Sequence, residues 1–196
     1  MKVIGLTGKT GAGKSTVAAF LREKGCYIIN GDKIARDILL PGEKAVRELA
    51  DFFGDDIILP DGNIDRKKVA SRAFATSENT AALNAITHPH ITARFVAEIK
   101  KAENEGYSVA IIDAAAILES DCRKLCSAFI VVTAPENIRL ERILSRDRIT
   151  KEQAMTRIRA QKEDEYYLSR ADYVIRNYEP FGLDGELSAL SQKLGL

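Results

Sequence analysis

The sequence predicts an α/β fold, a parallel five-stranded sheet with helices on both faces, and three observations carry the prediction. Val109-Ala110-Ile111-Ile112 and Phe129-Ile130-Val131-Val132 are continuous apolar runs, too uniform for strands with one wet face. Stretches with helical spacing separate such runs, so strands and helices alternate along the chain. The third observation is a glycine-rich turn, Gly8 to Thr16, set between an apolar run and a helical one.

The elements follow in order. Val3-Ile4-Gly5-Leu6 is a short buried strand, and Ser15 to Lys24 continues as a helix with Val17, Ala18, Phe20 and Leu21 on one face. Cys26-Tyr27-Ile28-Ile29 is a second strand, running into a helix with Ile34, Ala35, Ile38 and Leu39 that Asn30 or Asp32 caps. Pro41-Gly42 breaks it. Residues 43 to 53 form an amphipathic helix ended by Gly54, Leu59 to Asn63 is a turn, and Ile64 to Phe74 is helical again. Residues 78 to 104 are helical with a kink or boundary expected near His88, because a proline disfavours helix for its predecessor. After the strands ending at Asp113 and Thr133, helices are expected from Pro135 to about Ser145 and over 151 to 163. A last short strand, Tyr173-Val174-Ile175, precedes a closing helix over 182 to 194.

Composition narrows the function classes. The chain has 196 residues, 45% hydrophobic and 29% charged, with a net charge of +1. That charge supplies no global field to gather nucleic acid or an anionic membrane. The apolar runs are too short to cross a bilayer, and a first strand at the very start leaves no room for a signal peptide, so a cytoplasmic setting is expected. Cys26, Cys122 and Cys126 make no even framework. Two cysteines four apart lack the further ligands a metal needs, and small buried thiols are the expectation.

The turn itself, Gly8-Lys9-Thr10-Gly11-Ala12-Gly13-Lys14-Ser15-Thr16, fits G-x-x-x-x-G-K-[ST], a phosphate-binding loop, and makes the fold P-loop NTPase-like. Glycines at 8, 11 and 13 let successive N–H groups turn inward as an anion nest, undisturbed by side chains. Lys14 places a point charge on the outer phosphates of a nucleoside triphosphate, and the Ser15 hydroxyl is placed to ligate Mg²⁺. A helix starting near Gly13 adds the positive end of its dipole.

The remaining charges bear on the chemistry. Asp32 stands at the C-terminal end of the second strand, where ligand sites of parallel α/β sheets lie. It either accepts the proton of an acceptor hydroxyl or caps the following helix. Asp113, at the end of the third strand, either holds Mg²⁺ or makes a structural hydrogen bond. Arg139, Arg142 and Arg146 share one helical face, with Arg148 just beyond. They form either a lid over the transferring phosphate or a solvated face paired with Glu136 and Glu141.

These segments together resemble the dephospho-coenzyme A kinase family over nearly the whole chain. Besides the loop they are Asp32-Lys33-Ile34-Ala35-Arg36, His88-Pro89-His90-Ile91, Asp113 to Glu119, Arg146-Asp147, and Ala171-Asp172-Tyr173-Val174-Ile175 with Asn177, of which the first, second and last are the more specific. The resemblance implies ATP-dependent phosphorylation of the ribose 3′-hydroxyl of dephospho-coenzyme A with Mg²⁺, the last step of coenzyme A synthesis. Asp32 is then the base, with Lys14 and Arg146 acting on the phosphates. Gly11, Ala12, Gly13, Lys14, Ser15, Thr16, Arg142 and Asn177 bind the nucleotide, and Ser15 and Asp113 the metal. Asp32, Arg36 and His88 meet the acceptor, although His88 also reads as a buried helix-breaking residue. The implied organisation is one kinase domain, residues 1–196. Its core is 1–30, 106–146 and 171–196, its helical substrate-binding insertion about 31–105, and its lid about 146–165. The chain departs from the family pattern at Asn30, Thr10-Gly11-Ala12, Ala114-Ala115-Ala116 and Arg176, none of which removes Lys14, Ser15, Asp32 or Arg146. A related kinase for a nucleoside, nucleotide or other small hydroxyl acceptor is the alternative. A GTPase-type switch is disfavoured, since Asp51-Phe52-Phe53-Gly54 lies on an amphipathic helix and no guanine-reading N-K-x-D follows a strand.

Overall fold

The computed structural model describes residues 1–196, and the chain divides into two compact units, Met1–Ile29 with Ile99–Leu196, and Asn30–Glu98. It opens with β1 (Lys2–Gly8), α1 (Lys14–Glu23) and β2 (Tyr27–Asn30).

The second unit is helical: α2 (Gly31–Asp37), α3 (Lys44–Phe53), α4 (Arg66–Ala73) and the greater part of α5 (Ser77–Asn104). Its core gathers Leu49, Ala50 and Phe53 of α3 with Ile57, Ile64, Val69 and Ala73. Two expectations change here. The helix expected from Ile64 starts at Arg66, because the Asp65 side chain accepts from the N–H groups of Lys67 and Lys68. Ile64 instead pairs with Ile58 in an isolated antiparallel bridge that closes the turn. Nor does the chain break at His88. Helix α5 runs through Pro89, which is exposed, so water can meet the carbonyl that loses its N–H partner. The neighbouring Thr87 hydroxyl donates back to the Leu83 carbonyl at 2.8 Å.

Back in the first unit come β3 (Val109–Asp113), β4 (Ala128–Thr133), α6 (Glu136–Asp147), α7 (Lys151–Arg159), α8 (Asp164–Leu168), β5 (Tyr173–Arg176) and α9 (Leu183–Leu194). The stretch 151–163 is therefore not one helix. It stops at Arg159, and residues 160–163 turn so that Gln161 can bond elsewhere in the unit.

The strands form one parallel sheet in the order β2-β3-β1-β4-β5. β1 is central, and the chain crosses over it between β3 and β4, which makes its C-terminal end a switch point of the topology. Register partners Ile4 and Ile111, Leu6 and Ile130, and Val132 and Ile175 all enter one core cluster. Val17, Ala18 and Leu21 of α1 and Leu187, Leu190 and Leu194 of α9 complete it. The alternate residues Ala110, Ile112 and Val131 are buried as well, so both faces are covered and the runs are apolar throughout. Each large aliphatic side chain so buried contributes roughly 1.5–3 kcal/mol. That rigid centre holds the loop after β1.

Candidate nucleotide-binding site

The loop between β1 and α1 depends on two glycines with left-handed backbone, Gly11 at φ +80° and Gly13 at φ +99°. A Cβ at Gly11 would stand 2.6 Å from the Arg139 carbonyl oxygen, and one at Gly13 would strike the Asn177 carboxamide. Ala12 between them is fully buried, which explains its small size.

The loop's carbonyls are held from outside. Asn177 Nδ2 donates to the Ala12 carbonyl at 2.8 Å. Arg142 Nη1 donates to the carbonyls of Gly11 and Ala12, at 3.3 Å each, while its Nη2 donates to the Asn177 carbonyl at 2.9 Å. With these acceptors fixed on one side, amides are left for the other. The nest is narrower than the spacing alone implied. The Ala12 N–H donates to the Lys9 carbonyl at 3.0 Å, and the Thr10 N–H to Gln161 Oε1 at 3.0 Å. Thr16 and Val17 donate to the Gly13 carbonyl at 3.0 and 3.3 Å. Lys14 and Ser15 are the first two residues of α1, whose N–H groups no preceding turn can satisfy. Those donors and the positive end of the helix dipole suit an anion.

Lys14 Nζ is paired with the Asp113 carboxylate, both side chains being largely buried at 19% and 13% exposure. A cation and an acid kept from water beside the loop neutralise each other until other charges arrive. The fully buried Thr7 hydroxyl donates to the Ala115 carbonyl at 2.9 Å and ties β1 to the segment after β3.

The arginines of α6 share a face but lie at three depths. Arg139 is 3% exposed, its Nε donates to the Ala134 carbonyl at 3.1 Å, and its Nη1 has no hydrogen-bond partner. Arg142 is half-buried against the loop. Arg146 is exposed, with Nε and Nη2 on the two Asp147 oxygens at 2.7 and 3.0 Å, and Arg157 reaches the same carboxylate at 2.8 Å. The Arg146 guanidinium, with Arg157 adding to it, holds the Asp147 carboxyl below the usual carboxylate range. The face is neither a single fringe of free cations nor one paired with Glu136 and Glu141. Arg148 is the C-cap residue of α6, in left-handed backbone at φ 51°.

In the other unit, the cap of α2 is Asn30, whose side chain accepts the Lys33 N–H at 2.8 Å. Asp32 is exposed in the first turn of that helix, and Arg36 is exposed in its last. His88 is half-buried on α5.

No group of three or more His, Cys, Asp or Glu side chains is placed to hold a metal. Ser15 and Asp113 offer a hydroxyl and a carboxylate, which suits Mg²⁺, since that ion keeps waters and substrate phosphates around one or two protein ligands. Of the cysteines, Cys26 and Cys122 are buried as expected, whereas Cys126 is only half-buried; burial pushes the Cys26 thiol up to about 11 and, with Cys122 adding to it, the Cys126 thiol up to about 12. No helix is long and apolar enough to cross a membrane. Sequence reasoning missed Thr7, Gln161 and Asp164, the last pairing with Lys9 at 2.6 Å. Thr7 adjoins the loop motif, but none of the three contacts is marked in the sequence, because the partners lie more than a hundred residues away.

Comparison with known proteins agrees with this geometry. The model of the dephospho-CoA kinase family, CoaE, matches residues 2–181. A dephospho-CoA kinase of Corynebacterium glutamicum is 40% identical over 174 residues, 89% of this chain and 87% of its own. One of Moorella thermoacetica is 37% identical over 194 residues, 97% and 89% of the two chains. Among solved structures, TT1252 from Thermus thermophilus superimposes with a TM-score of 0.83 at 28% identity, covering 99% of this chain and 96% of that one. A shikimate kinase from Acinetobacter baumannii, with a TM-score of 0.53 at 16% identity over 100% and 94% of the chains, shares the fold alone. With a loop of this construction and relatives this similar along most of its length, the chain belongs to the dephospho-CoA kinase family.

Proposed function

We propose that the protein transfers the γ-phosphate of ATP to the ribose 3′-hydroxyl of dephospho-coenzyme A, completing coenzyme A in the cytoplasm. The observation that carries this reading is the extent of the family match, which spans both compact units and not the phosphate loop's unit alone.

In this reading the amides of Gly13, Lys14 and Ser15 receive the phosphates, and Lys14 exchanges Asp113 for the outer phosphate oxygens. Gly11 and Ala12 give the loop its shape, with Arg142 and Asn177 holding it from behind, and Thr16 continues the helix that points at the nucleotide. Ser15 and Asp113 would hold the Mg²⁺ that accompanies ATP, whose charge would offset that building on the phosphates during transfer. Asp32 follows β2 by two residues, and ligand sites of parallel α/β sheets lie beyond the C-terminal strand ends. Its carboxylate, not spent on capping, orients the acceptor hydroxyl and takes its proton during in-line attack. Arg146 leaves Asp147 for the transferring phosphate, and Arg36 and His88 bind the acceptor.

The test is a panel of hydroxyl acceptors with labelled ATP and Mg²⁺. Label on dephospho-coenzyme A is the expected result. Label on a nucleoside or nucleotide, with none on dephospho-coenzyme A, would replace the acceptor.

A further inference from the structure

One segment outside the roles above makes two separate contacts with the phosphate loop. At the junction of α7 and α8, Gln161 Oε1 accepts the Thr10 N–H at 3.0 Å. The first residue of α8, Asp164, meets Lys9 Nζ at 2.6 Å, and Lys9 is largely buried, at 13% side-chain exposure. One turn on, Tyr167 is 4% exposed. It lines a void of only about 10 Å³ together with Lys9, Asp164, Leu168 and residues 131–133 of β4. A space of that size admits at most about one water, so α8 is packed down as well as hydrogen-bonded.

These contacts matter because of what they hold. Gly8, Gly11 and Gly13 make the loop costly to order, and a loop already ordered before ligand arrives binds more tightly. Arg142 and Asn177 fix it only at Gly11 and Ala12. Gln161 and Asp164 fix the preceding pair, Lys9 and Thr10. The Gln161 bond also decides where the Thr10 N–H points.

We infer that Gln161 and Asp164 are positioning residues that preorganise the phosphate loop for the nucleotide and couple it to the α7–α8 segment. The inference rests on the nucleotide-binding part of the proposed function and not on the acceptor. It makes the C-terminal end of the lid region its anchored end, since α7 also packs Ala154 and Ile158 on Ile143 of α6.

The test uses Gln161→Met, which keeps length but accepts no hydrogen bond, and Asp164→Asn, which removes the ion pair. ATP and ADP affinities are measured by calorimetry, with thermal midpoints and steady-state constants alongside. Each variant is expected to bind nucleotide about tenfold more weakly, with KM for ATP rising in step. The thermal midpoint without ligand, kcat at saturating ATP and KM for the acceptor stay near wild type. Unchanged nucleotide affinity in both variants overturns the inference, and so does a loss of affinity matched by an equal fall in unliganded stability. The ATP affinities decide the matter whichever acceptor the wild-type enzyme uses, so failure here and failure of the acceptor assignment remain distinct.

Discussion

Asp32 and Lys14 differ in what they ask of kinetics. Asp32 stands in the first turn of α2, whose cap is Asn30, so replacing it with a near-isosteric amide should leave the helix in place. Asp32→Asn is expected to lower kcat by about 10²–10⁴, the usual worth of a positioned base. ATP affinity measured by calorimetry should hardly move, since the nucleotide meets other groups. Unchanged turnover would reduce Asp32 to an exposed surface acid. Lys14 is different, because it is already paired with Asp113 in the structure. Lys14→Ala removes the charge proposed to follow the outer phosphates and should cost more than about tenfold in kcat, or about 1.4 kcal/mol. Asp113→Asn leaves Lys14 without its counter-charge and replaces the proposed charged Mg²⁺ ligand with a neutral one. The Mg²⁺ concentration for half-maximal rate should therefore rise severalfold, and a Mg²⁺ titration of the variant reads this directly.

The strands and helices show which parts of the molecule were legible in its sequence. The five strands were readable because both faces of the sheet are covered, and that burial makes Val109 to Ile112 and Phe129 to Val132 apolar without a gap. The loop was readable because its chemistry demands glycine at fixed spacing. Gln161 was not, since its bond to Thr10 depends on a tertiary approach that leaves no period in the residues around it. The depths of Arg139, Arg142 and Arg146 were hidden for a similar reason. Spacing places them on one face, but only packing decides that the first is buried and the last exposed. At Pro89 no helix boundary forms, and α5 continues through it. That continuity has a cost, since a proline inside a helix forfeits a hydrogen bond and crowds the preceding turn. Pro89→Ala should stabilise the protein by about 1–3 kcal/mol, seen as a higher denaturant midpoint with an unchanged slope. No gain would mean that α5 is bent at this point and that its packing needs the bend.

At the scale of the whole molecule, the division into two compact units makes the proposed roles separable. The residues assigned to ATP, namely Gly11 to Thr16, Asp113, Arg142 and Asn177, all belong to the unit made of Met1–Ile29 and Ile99–Leu196. Those assigned to the acceptor, namely Asp32, Arg36 and His88, belong to Asn30–Glu98. A ligand that binds only the folded form of its site stabilises that form by mass action, by about 2.7 kcal/mol at a hundred times its dissociation constant. Local opening, not only global unfolding, is suppressed to the extent that it breaks the site. Amide hydrogen exchange should therefore resolve the two ligands by unit. Mg²⁺ with ADP is expected to slow exchange most at the loop and the start of α1, and along the segments that hold them, including residues 160–164. Dephospho-coenzyme A alone is expected to slow exchange chiefly in α2 and the part of α5 around His88. Protection from dephospho-coenzyme A confined to the sheet unit would remove the helical unit from acceptor binding, even if the enzyme phosphorylates that substrate. Protection by ADP that stops at the loop without reaching 160–164 would show that the loop and the α7–α8 segment open independently.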